Sequence, residues 1–365
     1  MSEAILLVGG KGTRLRPLTT HTPKPLLRVG GVPFLTHQLA RAAAAGVTRL
    51  VLATSYLAEL FEAEYGDGSS LGLELVYAQE DVPLGTGGAI RNAAELLTCG
   101  PGEPVFVFNG DILSGVDLAG LREAHTASGA AVTLHLTRVE DPRAFGLVPT
   151  DADGRVRAFL EKPQTEAEII TDQINAGCYV FTRSVIDTIP AGREVSVERE
   201  TFPALLADGA LVNGVVEDGY WLDLGTPQAF VRGSADLVRG LVSSPALPGP
   251  VGEALVLPGA RVDPGARLSG GTVVCEDAVI EAGAVVHASV VLPGARIAAR
   301  GLVRSSVVGA HAAIGEGSVL LSTVVGDGAV IGPDNELTAG LRIDCGVRLP
   351  AHAVRVSAAP AVLAS

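Results

Sequence analysis

The sequence predicts two folds in one chain: a mixed α/β domain on a mostly parallel sheet, followed by a left-handed parallel β-helix of hexapeptide repeats. Three observations carry this. From Ala4 to Arg239 strand-like apolar runs alternate with helical stretches, the pattern of parallel strands joined by helical crossovers. The run Ser243-Ser244-Pro245 through Pro248-Gly249-Pro250 then breaks that pattern, since proline at this density ends regular structure. Beyond it the composition shifts to Val, Ala and Gly, with aliphatic residues at every sixth position. The expected boundaries are 1–242 for the first domain, 243–252 for the linker, 253–356 for the β-helix and 357–365 for a tail.

In the first domain, Ala4 to Val8 reads as a buried strand and Phe34 to Ala45 as a helix ended by Gly46. Arg49 to Ala53 is expected as a strand, Leu57 to Tyr65 as a helix, Leu73 to Tyr77 as a strand, Ala89 to Leu97 as a helix and Val105 to Phe108 as a strand. Ala130 to Val139 follows as a strand. Phe145 to Val148 and Arg155 to Leu160 read as a hairpin around Asp151-Ala152-Asp153-Gly154. Ile174 to Phe181 is extended, Glu198 to Ala207 a helix kinked or begun near Pro203, and Pro227 to Arg239 a last helix capped by Thr226.

The repeat begins at Val256, Val262, Leu268, Val274, Ile280 and Val286. It sharpens into copies offset by seventeen, starting at Val273-Val274, Val290-Val291, Val307-Val308 and Val324-Val325, with Ile280, Ile297, Ile314 and Ile331 six residues on. Val286, Val303, Leu320 and Leu337 complete each coil. Three short strands per coil with aliphatic residues inward give a triangular β-helix. Pro264-Gly265, Pro293-Gly294 and Asp327-Gly328 sit at corners.

Hydrophobic residues make up 47% of the chain but aromatics only 4%, so small and aliphatic side chains must fill the core. Cys99, Cys178, Cys275 and Cys345 lie far apart, which indicates neither a zinc site nor a disulfide framework. Met1-Ser2-Glu3 lacks the charged start of a signal peptide and no apolar run reaches membrane-spanning length, so the expectation is a soluble cytoplasmic enzyme.

Net charge is -13, yet Ala4 to Ala58 contains no Asp or Glu while Lys11, Arg14, Arg16, Lys24, Arg28, Arg41 and Arg49 fall inside it. A local basic island on an acidic protein points to a small anion and away from a nucleic-acid surface. Within it Gly9, Gly10 and Gly12 follow the first strand, where a turn with unshielded N–H groups can cradle phosphate. The spacing is neither a P-loop, lacking the closing Gly-Lys-Ser/Thr, nor a dinucleotide fingerprint, lacking the third glycine. Asn109-Gly110-Asp111 also follows a strand. Both turns are therefore expected on one rim, at the carboxyl ends of the strands.

These motifs resemble the sugar-1-phosphate nucleotidyltransferases. The resemblance rests, in order, on Leu7 to Thr19, Pro23-Lys24-Pro25, Pro83 to Gly88, Asn109-Gly110-Asp111, Phe145 to Val148, Phe159 to Pro163, Ile174 to Gly177 and Trp221 to Gly225. It covers essentially the whole first domain and extends to the hexapeptide tail that many members carry. It implies a Rossmann-like nucleotidyltransferase fold and a nucleoside triphosphate and a sugar 1-phosphate as substrates. Gly85 to Gly88, Val195 to Pro203 and Arg16 point to GTP and mannose 1-phosphate within the group.

The resemblance implies roles for single residues. Arg14, Lys24 and Lys162 are the expected catalytic cations, with Lys162 on the sugar phosphate. Leu7, Gly9, Gly10, Gly12, Thr13, Gln79, Gly85, Thr86 and Gly110 are expected around the nucleotide. Gly146, Glu161 and Asn175 are expected at the sugar, and Asp111 and Asp223 as ligands of Mg²⁺. Uridylyl or thymidylyl transfer to glucose 1-phosphate is the alternative within the class. A non-catalytic regulatory subunit is the alternative outside it, disfavoured because all five charged site residues, Arg14, Lys24, Asp111, Lys162 and Asp223, are present. His287 and His311 could mark an acyltransferase site in the β-helix, but each falls near a coil corner where a solvated histidine is ordinary. Open coil ends lead to the expectation of a homo-oligomer.

Overall fold

The computed structural model describes residues 2–55, 57–80 and 82–355. The expected tail 357–365, and Val356 at the expected end of the β-helix, lie outside the described residues. The chain divides into two compact units: Met1–Lys11 with Leu35–Asp223, and Gly12–Phe34 with Leu224–Ser365.

The first unit is built on β1 (Ser2–Leu7), α1 (Phe34–Ala44), β2 (Val47–Thr54), α2 (Glu59–Tyr65), β3 (Glu74–Gln79), α3 (Gly85–Ala94) and β4 (Pro104–Asn109). It continues through β5 (Ile112–Ser114), α4 (Leu118–Ser128), β6 (Val132–Arg138), β7 (Gly146–Leu147), β8 (Leu160–Glu161), β9 (Gln173–Thr182), α5 (Arg183–Ile186), α6 (Phe202–Ala207), β10 (Val212–Val216) and β11 (Trp221–Asp223). The main sheet runs β8-β7-β9-β4-β1-β2-β3, with β6 beside β9 and β10 beside β6. Strands β4, β1, β2 and β3 are parallel, and β9 joins antiparallel to β4. The alternation of apolar strands and helices thus yields the expected sheet, with an antiparallel extension on one side.

Burial explains the strand order. Ala4, Ile5 and Leu6 are completely buried in the central strand, as a strand covered on both faces requires. Tyr179, Phe181 and Phe202 pack in tilted and edge contacts beside it, so the few aromatics are concentrated under the antiparallel half. Helix α4 starts where Asp117 accepts from Ala119 N and Gly120 N, both at 3.1 Å, and stops at Gly129 with φ 62°. Helix α6 follows a single wide turn at Val197–Thr201, so the start near Pro203 is found. The expected helix from Ala89 begins four residues earlier, at Gly85. The hairpin is shorter than expected: Gly146 pairs Glu161, Leu147 pairs Leu160, and Thr150 bridges Val156.

The second unit contains α7 (Pro227–Val238), whose Thr226 hydroxyl accepts from Ala229 N at 3.2 Å. Three sheets of six, six and five parallel strands follow, consistent with a left-handed β-helix. The seventeen-residue offset is the ladder register itself: Val274 lies on Val291, Val308 and Val325, Ile280 on Ile297, Ile314 and Ile331, and Val286 on Val303, Leu320 and Leu337. These side chains form one buried column. Residues 12–34 group with this unit, and their Leu15, Leu18, Leu27 and Val29 are buried.

All four cysteines are free thiols. Among the described residues no helix is long and apolar enough to cross a membrane.

Two buried histidines make the first unit acid-sensitive. Burial depresses His125 to about 4, and burial with the nearby Arg41 charge depresses His135 to about 4. Each is held neutral in the fold and takes up a proton more readily when unfolded. Their contribution is complete above roughly pH 6.5 and is lost as pH falls toward the folded value. Replacing both with Gln is expected to flatten the stability curve across that window, read by urea unfolding at stepped pH.

Candidate functional site

The first unit's site begins where β1 and β4 end side by side, Leu7 opposite Asn109. Gly110 N donates to Leu7 O at 2.9 Å, and a Cβ at Gly110 would stand 2.4 Å from that oxygen. No larger residue fits this approach without moving backbone. The approach sets Asp111 beside the end of β1. Across the short β5–β11 ladder Asp223 pairs with Ile112, so Asp111 and Asp223 emerge at the same end of one strand pair. Gly177 (φ 75°) leaves room on the other side, its Cβ position being 2.9 Å from Asn109 Nδ2.

Sequence reasoning missed the residue that braces this turn. Gln38, on α1, donates through Nε2 to Asn109 O at 2.9 Å and Ile112 O at 3.3 Å, and so straddles Gly110-Asp111. Its Oε1 and Asn109 Oδ1 are buried beside a cavity of about 40 Å³, room enough for a water. A lone Gln inside a helix carries no motif, so no local signal could have found it.

Beside the carboxylates a cleft of about 410 Å³ is lined by Leu7, Gly9, Gly10, Lys11, Gly85 and Thr86, joined by Ser55 and Glu80. Ser55 limits Gly9, whose Cβ position is 3.0 Å from Ser55 Oγ. Glu80 accepts from Leu84 N at 3.2 Å, and burial raises its pKa. Gln79 is exposed at the end of β3 and is not among the residues lining the cleft.

The glycines Gly85 to Gly88 open α3 and pack on the 193–195 segment. Gly87 N and Gly88 N donate to Val195 O at 2.8 and 3.3 Å, and a Cβ at Gly85 would be 2.6 Å from that oxygen. Thr86 Oγ1 donates to Glu198 Oε2 at 2.8 Å and accepts from Val197 N at 2.9 Å. The two sequence segments read as separate signals are therefore one packed unit.

On the antiparallel side Gly146, Glu161, Lys162 and Asn175 come together. Gly146 faces Glu161 across the β7–β8 ladder, and its Cβ position is 2.9 Å from Glu161 Oε2. Lys162 Nζ lies 3.5 Å from Glu161 Oε1, on a residue with φ 51° and a side chain 57% exposed. Asn175 donates to Tyr179 OH at 2.7 Å and accepts from Gly177 N at 3.1 Å. Trp221 donates to Ala176 O at 3.0 Å and meets Phe145 edge-on, walling this side.

In the second unit Gly12, Thr13, Arg14 and Lys24 form a separate group. Gly12 (φ 55°) has its Cβ position 3.0 Å from Lys24 Cβ, and Thr19 Oγ1 donates to its carbonyl at 2.9 Å. Arg14 is exposed and Lys24 half-buried. The basic island is not one site. Arg28 pairs Glu276 at 2.9 Å, Arg41 donates to Val116 O at 2.9 Å, and Arg49 pairs Glu74. His287 bonds Ser269 and lies on Gly270, while His311 lies on Gly294, so both histidines fill coil corners.

A glycine-lined cleft and a carboxylate pair on the carboxyl rim of a parallel sheet define the class, an enzyme that handles nucleotide phosphates. The chain belongs to the nucleotidyl transferase family, whose model matches residues 3–240, and a GMPPB C-terminal domain model matches residues 250–359. It is 57% identical over 298 residues to a mannose-1-phosphate guanylyltransferase of Mycobacterium tuberculosis, covering 81% of each chain. It is 40% identical over 267 residues to the mannose-1-phosphate guanylyltransferase catalytic subunit beta of Drosophila pseudoobscura pseudoobscura, covering 72% of this chain and 70% of that one. Among solved structures it resembles HddC from Yersinia pseudotuberculosis, with TM-score 0.54 and 26% identity over 64% of this chain and 98% of that chain.

Two substitutions test the turn. Gly110→Ala is expected to destabilise the fold by roughly 1–3 kcal/mol through backbone overpacking, seen as a lower urea midpoint. Gln38→Ala is expected to leave the fold intact yet cut turnover about tenfold or more, and unchanged turnover would show that the turn needs no brace.

Proposed function

We propose that this chain transfers the guanylyl group of GTP to mannose 1-phosphate, giving GDP-mannose and pyrophosphate. The observation that carries the reading is the Asp111–Asp223 strand-pair end set beside a glycine-lined cleft, in a chain whose relatives share that activity in their names.

An oxygen of the sugar phosphate attacks the α-phosphorus of GTP. The new P–O bond forms as the bond to the β-phosphate bridge breaks, and pyrophosphate leaves with the electron pair. The attacking oxygen is already anionic, so neither a side-chain nucleophile nor a general base is needed. The protein's task is to align the groups and neutralise charge.

The backbone of Leu7, Gly9, Gly10 and Gly12, with Thr13, holds the triphosphate. Arg14 and Lys24 neutralise it, Lys24 at the α-phosphate. Gly85, Thr86, Gly110 and Gln79 face the nucleoside. Lys162 binds the sugar phosphate, Glu161 and Asn175 bind hydroxyls, and Gly146 leaves room for the ring.

Asp111 and Asp223 fit a hard divalent cation such as Mg²⁺. They are oxygen donors at one end of a strand pair, and among the described residues no group of three His, Cys, Asp or Glu offers a fuller cage. That suits an ion that keeps several waters and phosphate ligands. When bound, such an ion neutralises charge on the triphosphate and on departing pyrophosphate.

A panel of GTP, UTP, dTTP and ATP against mannose and glucose 1-phosphates, read by pyrophosphate release, tests the assignment. Highest turnover is expected with GTP and mannose 1-phosphate, and highest turnover with UTP or dTTP would overturn it. Asp111→Asn is expected to lose at least 100-fold in turnover with unchanged thermal unfolding. Assembly as a homo-oligomer through the β-helix belongs to the same reading, and a monomer by light scattering at micromolar concentration would count against it.

A further inference from the structure

The segment Gly12–Phe34 carries the loop's Arg14 and Lys24, and it lies along the β-helix from its last coils to its first. Arg342 Nη1 donates to Arg14 O at 2.8 Å and to Arg16 O at 3.0 Å. Cys345 Sγ stands 3.8 Å from Pro17 O. Farther along, Arg28 meets Glu276 at 2.9 Å, and a Cβ at Gly31 would touch Leu255 and Leu257.

The β-helix register marks Arg342 as an exception. Its position in the ladder continues the column Val273, Val290, Val307, Val324. Four coils place a buried valine there. The last replaces it with a guanidinium aimed at two carbonyls of one turn. Uniform repetition would favour a fifth apolar residue, so the departure answers to something outside the repeat.

The Arg14 turn needs such a hold. Thr13–Leu15 is a single 3₁₀ turn entered through left-handed Gly12, and a turn that short has little stability of its own. Leu15 is buried, which anchors its centre. The two carbonyls flanking Leu15 are those that Arg342 binds, and a charged donor makes such bonds stronger than neutral ones.

We infer that Arg342 is a positioning residue: from the last coils of the β-helix it fixes the backbone of the Arg14–Pro17 turn, and with it the cation that meets the nucleotide triphosphate. This rests on the proposed role of Arg14 in nucleotide binding. It gives the β-helix a part in the reaction besides assembly.

The test uses the full chain with Arg342→Ala and Arg342→Lys. Hydrogen exchange reads the turn directly through the amides of Leu15, Arg16 and Leu18, which close on Gly12 O, Thr13 O and Leu15 O at 2.9, 3.2 and 3.1 Å. Arg342→Ala is expected to speed their exchange about tenfold and to raise KM for GTP with kcat/KM down about tenfold. KM for mannose 1-phosphate should stay within about twofold and thermal unfolding should not move. Lys should restore part of both effects.

Unchanged exchange and kinetics in Arg342→Ala would overturn the inference. So would a lower unfolding temperature with equal losses toward both substrates, which marks a general structural role. If the parent chain turned over no pair in the nucleotide panel, the function assignment would fail by itself. The exchange measurement would still decide whether Arg342 holds the turn.

Discussion

One backbone contact sets the terms for the first unit's site: the N–H of Gly110 on the carbonyl of Leu7 at 2.9 Å, with no space for a side chain between them. Two parallel strands end there together, and the chain leaving the second must turn at once. That turn delivers Asp111 to the rim, Gln38 braces it from α1, and the β5–β11 ladder brings Asp223 to the same end. A carboxylate pair on loose loops would have to be ordered by its ligands. Here the strands have already met that entropy cost.

The proposed chemistry joins two polyanions, and their repulsion is the barrier the protein must offset. Of the seven cations in the acid-free stretch, Arg28, Arg41 and Arg49 are committed to structural contacts. Lys162, far away in sequence, stands at a strand end with Glu161 beside it. Charge is thus divided by task. Some cations hold segments in place so that others can meet phosphate.

Much of this was legible in the sequence, for identifiable reasons. The β-helix was legible because stacking repeats the same contact, so a seventeen-residue offset in valine and isoleucine is the ladder register written out. The glycines at 9, 10, 12 and 110 were legible as backbone features after strands, although the clash that enforces Gly110 is tertiary. What stayed hidden is non-local. Nothing in the sequence says that Gly87 and Gly88 give their N–H groups to Val195, that Gln38 straddles Asn109 and Ile112, or that residues 12–34 group with the β-helix. Each depends on partners tens to hundreds of residues away, where periodicity carries no signal.

The central claim is that alignment and charge alone drive a single in-line displacement at the α-phosphorus, with no covalent intermediate on the enzyme. The most direct measurement is the stereochemical course with GTP made chiral at the α-phosphorus by sulfur substitution, analysing the nucleotide sugar formed from mannose 1-phosphate. A single displacement predicts inversion at phosphorus. Retention would require two displacements, and therefore a nucleophilic side chain, and would contradict the account.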